Sequence, residues 1–246
     1  MRARLIVAGA LAGAVPIAWA VWALTRPDGP GRAPVPARLV TNEYAHWNPG
    51  AGDARRSPTW DVTSGSLYER DGLLWTGPPD TAVPDATSSN GTGSSVFRMN
   101  THRADHLDVH ITLDVRNVRL LPDDAQATDG VHVMLRRQDE TELYVASLNR
   151  RDELLVVKKK LRGGPVNGGR YFTLAQVRHP YPFGAWQRFE VRITGTSPVV
   201  VTVAQAGREL LRAVDDGRRH DRPIARPGSV GVRGDRCEFE FRFRAR

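Results

Sequence analysis

The chain has 246 residues, 40% of them hydrophobic, and a formal net charge of +8. That apolar share is adequate for a sizeable core, and long amphipathic helical patterns are absent. Half of the charge sits in residues 1–38, where Arg2, Arg4, Arg26, Arg32 and Arg38 face only Asp28, so the rest does not indicate a nucleic-acid binder and favours an anionic ligand only weakly.

Arg2 and Arg4 precede an uncharged segment from Leu5 to Leu24. Some 20 residues of helix span a bilayer core of roughly 30 Å. Two readings fit residues 1–24. In a signal anchor, Arg2 and Arg4 stay cytoplasmic and the rest is exported. In a cleaved signal peptide, Ala18-Trp19-Ala20 is the cleavage motif. Both put the domain outside the cytoplasm. Residues 25–38 interleave Pro27, Pro30, Pro34 and Pro36 with glycine, the composition of an extended, semi-rigid spacer. Residues 39–246 are expected to form a β-sandwich domain.

Within the domain, residues 39–60 hold Tyr44, His46, Trp47 and Trp60. These rings are either a platform for sugar C–H faces or core beneath loops. Short strands are expected at 66–68 and 72–75, joined by a turn. Residues 76–95 form a long Pro-, Asp-, Ser- and Gly-rich loop, with Asn90-Gly91-Thr92 as a glycosylation acceptor in a eukaryotic host. Residues 96–100 are a strand that sets Val96 and Arg98 opposite Phe97 and Met99. The cleanest alternation runs over 107–115, where Leu107, Val109, Ile111, Leu113 and Val115 share one side. Asp123, Asp124 and Asp129 then fall in a loop over 121–130. Oxygen-rich loops can hold Ca²⁺, but this spacing matches no specific motif.

Three β-branched runs follow, at 131–137, 143–149 and 154–161, with the pattern of neighbouring strands. Period 2 sets Val131, Val133 and Leu135 against His132, Met134 and Arg136. In the middle run, Leu143/Val145 and Tyr144/Leu148 are both plausible core sets. In the third, Leu155, Val157 and Leu161 face inward and Lys159 shares their parity, whereas Lys158 and Lys160 face outward. These are the only lysines in the chain. The glycines of Gly163-Gly164-Pro165 and Asn167-Gly168-Gly169 mark tight turns. Further strands are expected at 171–174, 189–194, 199–204, 210–214, 229–233 and 237–243. The tripeptide Arg233-Gly234-Asp235 is assigned to the turn between the last two. Cys237 is the only cysteine, which excludes an intramolecular disulfide, and its place in an apolar alternating run points to a buried thiol.

Ten or more short strands without helical crossovers indicate an all-β antiparallel sandwich. The stretches Trp60-Asp61-Val62, Ser64-Gly65-Ser66-Leu67-Tyr68, Asp71-Gly72-Leu73-Leu74-Trp75, Asp129-Gly130-Val131-His132-Val133, Gly184-Ala185-Trp186-Gln187-Arg188-Phe189 and Pro227-Gly228-Ser229-Val230-Gly231-Val232 resemble the concanavalin A-like lectin/glucanase superfamily, in its laminin-G-like or carbohydrate-hydrolase-associated jelly rolls. The resemblance covers most of residues 58–246. It implies a concave sheet face that receives a polysaccharide, and it admits Ca²⁺ without requiring a cofactor. The catalytic Glu-x-Asp-x-x-Glu of its retaining glucanases, which sets two carboxylates at the spacing such chemistry needs, does not occur here. The Gln-Ile-His and Tyr-x-Lys-x-Gly-x-Tyr motifs of its uronate lyases are also absent.

The leading expectation is therefore a non-catalytic carbohydrate-binding domain. Arg98, His132, Arg136, Tyr144, Lys158, Lys160 and Tyr171 would line a cationic sheet face for an anionic polysaccharide or cell-wall glycan. A uronate lyase using His132, Tyr144 and Arg136, or a glycoside hydrolase, is the enzymatic alternative. An extracellular adhesion or structural module is the third.

Overall fold

The computed structural model describes residues 38–41, 59–64, 67–70, 72–76, 96–120 and 126–246. The proposed apolar segment, the spacer up to residue 37, Tyr44, His46, Trp47, Asn90, Asp123 and Asp124 lie outside those residues. The strands are β1 (Arg38–Thr41), β2 (Trp60–Ser64), β3 (Leu67–Arg70), β4 (Leu73–Thr76), β5 (Val96–Thr101), β6 (Val109–Leu120), β7 (Val131–Arg137), β8 (Leu143–Ser147), β9 (Leu154–Val166), β10 (Gly169–Arg178), β11 (Gln187–Thr194), β12 (Val199–Gln205), β13 (Arg208–Asp215), β14 (Ser229–Asp235) and β15 (Cys237–Ala245). All pairings among them are antiparallel. One sheet runs β1-β3-β4-β15-β6-β11-β12-β13 and the other β10-β9-β8-β7-β14-β5-β2.

The two sheets pack face to face, as their alternation dictates. Val109, Ile111, Leu113 and Val115 of β6 and Phe189, Val191 and Ile193 of β11 meet Val131, Val133 and Leu135 of β7 and Leu155 and Val157 of β9 in one core cluster. Phe239 and Phe241 of β15 complete it, with Phe97 edge-on to Phe239 at 5.8 Å between ring centroids. The ambiguity in the middle run resolves in favour of Tyr144, Ala146 and Leu148, which face the core. Leu143 and Val145 instead join Met134 and Tyr171 in a small cluster on the outer side of the seven-stranded sheet.

Several strands differ from their expected limits. β1 begins at Arg38, read as the last residue of the spacer, and β2 precedes the first strand that was expected. β9 runs on through Gly163, Gly164 and Pro165 to Val166, so the hairpin turns only at Asn167-Gly168, with the Gly163 N–H donating to the Gly168 carbonyl at 2.9 Å. Arg233-Gly234-Asp235 is strand rather than turn. Gly234 is there for packing: a Cβ would sit 2.3 Å from a ring carbon of Phe239. The chain turns one residue later, at Arg236, which has φ 47°.

Candidate functional site

The outer side of the seven-stranded sheet carries the site. Strand register lays its side chains out in rows. Ser147 of β8 pairs with His132 of β7, His132 with Arg233 of β14, and Arg233 with Arg98 of β5. Two residues along, Lys158 of β9 pairs with Val145, and Val145 with Met134. Asp235 follows Arg233 on the same side of β14. Glu140 is supplied by the turn between β7 and β8, and Val166 and Tyr171 by the β9–β10 hairpin. Together these residues line a cavity of about 340 Å³, at the small end of ligand sites.

Its charge is mixed. Arg98, Lys158, Arg233 and Arg236 line it together with Asp129, Glu140 and Asp235, so the expected uniformly cationic face is not what the strands present. Arg98 is buried and paired with Glu140, which also accepts from Arg137. Burial works to raise the Glu140 carboxyl, but Arg98 and Arg137 outweigh it and hold it below the ordinary range. Arg233 donates from Nε to Asp235 Oδ1 at 2.6 Å. The terminal nitrogens of Arg233 have no hydrogen-bond partner among the described residues. Asp235 is strongly acidic: burial opposes its charge, yet Arg233 and His132 hold the carboxyl far below its usual range.

Lys158 is the other available cation. Among the described residues its ammonium meets no carboxylate, only the Tyr171 ring with its centroid 5.4 Å away. Burial, with Arg150 and Arg233 nearby, brings Lys158 down to about 8. Lys160 lies 5.2 Å from the same centroid and donates to the Glu140 carbonyl at 2.6 Å. Burial and Arg233 bring it also to about 8. His132 is buried, with Nδ1 2.8 Å from Ser147 Oγ and Nε2 3.3 Å from Asp235 Oδ2. Burial pushes the imidazole below its ordinary range, so it is neutral at pH 7.

The structure therefore brings together Arg98, His132, Lys158 and Tyr171, with Lys160 against the same ring. It corrects Arg136 and Tyr144, neither of which lines the cavity. Arg136 has φ 44° and lies where Leu135 and Arg136 together oppose Val230, a bulge that reverses the parity of the strand. Its fully buried guanidinium turns to the edge of the sandwich and donates to the carbonyls of Leu107 (2.7 Å), Ile224 (2.9 Å) and Gly195 (2.6 Å). Tyr144 points between the sheets, where its hydroxyl donates to Asp215 Oδ2 at 2.6 Å and accepts from the Ile224 N–H at 3.1 Å. Burial and that carboxylate push the phenol far above its usual range. The lyase reading thus loses two of its three residues.

Arg233, Asp235 and Glu140 are the site residues that sequence reasoning missed. A signal for two of them existed: the alternation Val230, Val232 against Gly231, Arg233 continues to Asp235 without a break. Among the described residues no cluster of His, Cys, Asp or Glu could hold a metal ion, and no helix is long and apolar enough to cross a membrane.

No protein-family model and no curated protein matches the sequence. Solved structures do. The carbohydrate-binding module CBM66 from Bacillus subtilis is 13% identical over 74% of this chain and 91% of its own, with a TM-score of 0.49. A legume lectin-like domain from Entamoeba histolytica is 8% identical over 88% of this chain and 98% of its own, with a TM-score of 0.47. An alginate lyase from Pseudomonas aeruginosa is 12% identical over 76% of this chain and 97% of its own, with a TM-score of 0.43. At such identities and TM-scores these likenesses assign neither a superfamily nor an activity to this chain.

Proposed function

We propose that this chain is an exported glycan-binding module, tethered or released at its N-terminus, whose cavity takes an acidic sugar residue. One observation carries the reading. Two cations face the cavity with donors that no described acid occupies: the Lys158 ammonium and the terminal nitrogens of Arg233. A planar guanidinium edge beside an ammonium suits a carboxylate or sulfate, by charge-assisted hydrogen bonds. The Tyr171 ring and the apolar side chains of Met134, Leu143 and Val145 supply the flat, non-polar wall that the C–H face of a sugar needs. Export rests on the Leu5–Leu24 segment.

Calorimetric titration with oligouronates, beside neutral oligosaccharides of equal length, tests the proposal. Binding of the acidic series alone is expected. Lys158→Met should weaken it by about tenfold, the worth of one charge-assisted contact. Binding of neither series, or equal binding of both, would overturn the reading.

The same site predicts a pH dependence. The Lys158 ammonium must be protonated to hold an anion, and its pKa is about 8. Affinity is expected to be level between about pH 6 and 7 and to fall above about 8, approaching tenfold per unit for one proton. Lys160, also at about 8, steepens the fall if it contributes. Lys158→Arg keeps its charge through this range, so titration of that variant should show a smaller loss at pH 9.

A further inference from the structure

Three polar side chains in the cavity form a chain of their own. Ser147 Oγ lies 2.8 Å from His132 Nδ1, and His132 Nε2 lies 3.3 Å from Asp235 Oδ2. An ionised carboxylate can only accept, so the proton of the neutral imidazole belongs on Nε2. That leaves Nδ1 free to accept from the Ser147 hydroxyl. The order is nucleophile, base, orienting acid: the hydroxyl gives its proton to an imidazole whose far nitrogen faces a carboxylate at ion-pair distance, without hydrogen-bond geometry in the resting structure. Such a constellation is recognised by geometry and roles rather than by chain order or fold.

The surroundings fit the arrangement. All three residues line the same cavity as Lys158 and Arg233. Strand pairing sets Lys158 opposite Val145, two residues before Ser147 on the same face of β8, and sets Arg233 opposite His132. Lys158 thus stands on the strand beside the serine, and Arg233 two strands away beyond His132. Ser147 itself has no surface exposed to bulk water, so the group that reaches it must be a small one entering through the cavity, not a polymer chain laid across the sheet.

We propose that Ser147, His132 and Asp235 form a nucleophilic centre for hydrolysis of a small carboxylic ester, of the kind a short acyl substituent on a sugar hydroxyl presents. Ser147 Oγ adds to the ester carbonyl as its proton passes to His132 Nδ1. The C–O bond to the sugar breaks, and the sugar oxygen leaves with that proton. Water then adds to the acyl-serine carbonyl, giving its proton to His132, and Ser147 departs reprotonated. The net change is ester plus water to carboxylic acid plus alcohol. This goes beyond ligand binding, and the sugar portion of the substrate rests on that reading; the ester chemistry does not.

The full-length protein incubated with a fluorophosphonate probe tests it, with the adduct mapped by peptide mass spectrometry. A phosphonyl group on Ser147 is expected, lost in His132→Ala, together with turnover of 4-nitrophenyl acetate that Ser147→Ala abolishes. Asp235 is a positioning residue, so Asp235→Asn should lower kcat at least tenfold and Asp235→Glu should restore most of it, while a merely structural role predicts no such rescue. Ser147→Cys gives a second readout. Its thiol should react with iodoacetamide faster than the buried Cys237. No adduct on Ser147 in folded wild type, or no accelerated alkylation of Ser147→Cys, would overturn the proposal, whatever the oligouronate titration gives.

Discussion

Replacing Lys159 with methionine is expected to cost about 3–5 kcal/mol of folding stability, the usual penalty for stranding one partner of a buried ion pair. Lys159 is fully buried between the sheets, and its Nζ lies 2.8 Å from Asp215 Oδ2. It also donates to the carbonyls of Asp221 at 2.9 Å and Arg222 at 3.3 Å. Asp215 shares the same oxygen with the Tyr144 hydroxyl. The group thus ties β9 and β8 to β13 and to the connection that leads into β14. Methionine fills most of the space but leaves the Asp215 carboxylate without its counter-charge. Urea denaturation measures the loss. The double variant Lys159→Met with Asp215→Leu should recover most of it, because replacing both charges removes the desolvation cost as well as the attraction. A single-variant loss below about 1 kcal/mol would show that water reaches the pair.

The second large effect is expected at Arg233. Arg233→Met removes a guanidinium edge from the cavity and also strips Asp235 of its main counter-charge. Truncating one partner of a buried, hydrogen-bonded charge pair costs about 2–5 kcal/mol. Affinity for an oligouronate should therefore fall by roughly 30-fold or more, well beyond the effect of Lys158→Met. Stability should fall too, since the Asp235 carboxylate keeps only His132. The sign for pH follows from the Asp235 carboxyl, which is depressed in the folded state. Its contribution is fully present above the unfolded carboxylate range and is lost as pH falls through the folded value. Wild type should thus hold this contribution down to lower pH than Arg233→Met does. Acid titration followed by tryptophan fluorescence compares the two; coincident acid midpoints would sink the argument.

Much of this architecture could be read from the residues. Wherever one side of a strand is fully apolar, as in β6 or the Phe239–Phe241 stretch of β15, period 2 gave both the strand and its buried face. The parity that sends Lys158 and Lys160 outward and Lys159 inward was equally legible. What alternation cannot carry is a change of parity. The bulge at Arg136 turns a residue that belongs to the His132 side by counting into a brace at the sandwich edge, and nothing local in the sequence announces a positive φ at an arginine. Glycine misled in the opposite direction. Gly163, Gly164 and Gly234 look like turns because glycine is common there, yet all three lie within strands. Reading Gly234 as a turn hid Arg233 and Asp235, two of the seven charged groups that line the cavity. Tyr144 illustrates a third gap. An aromatic ring with a polar tip suits a ligand face or a core equally well, and only the position of Asp215 on another strand decides.

The placement of the lysines has a practical corollary. The chain has three, all consecutive on β9; Lys159 is sealed between the sheets, Lys160 is buried against the Glu140 carbonyl, and Lys158 lies over the Tyr171 ring at the cavity. Primary amines, which on most soluble domains are scattered over the exterior, are here concentrated at one spot. An acylating reagent applied to the folded protein therefore acts less as a general surface coat than as a footprinting probe: apart from the chain's own amino terminus, what it modifies, and what a bound molecule shields from it, reports on that one spot.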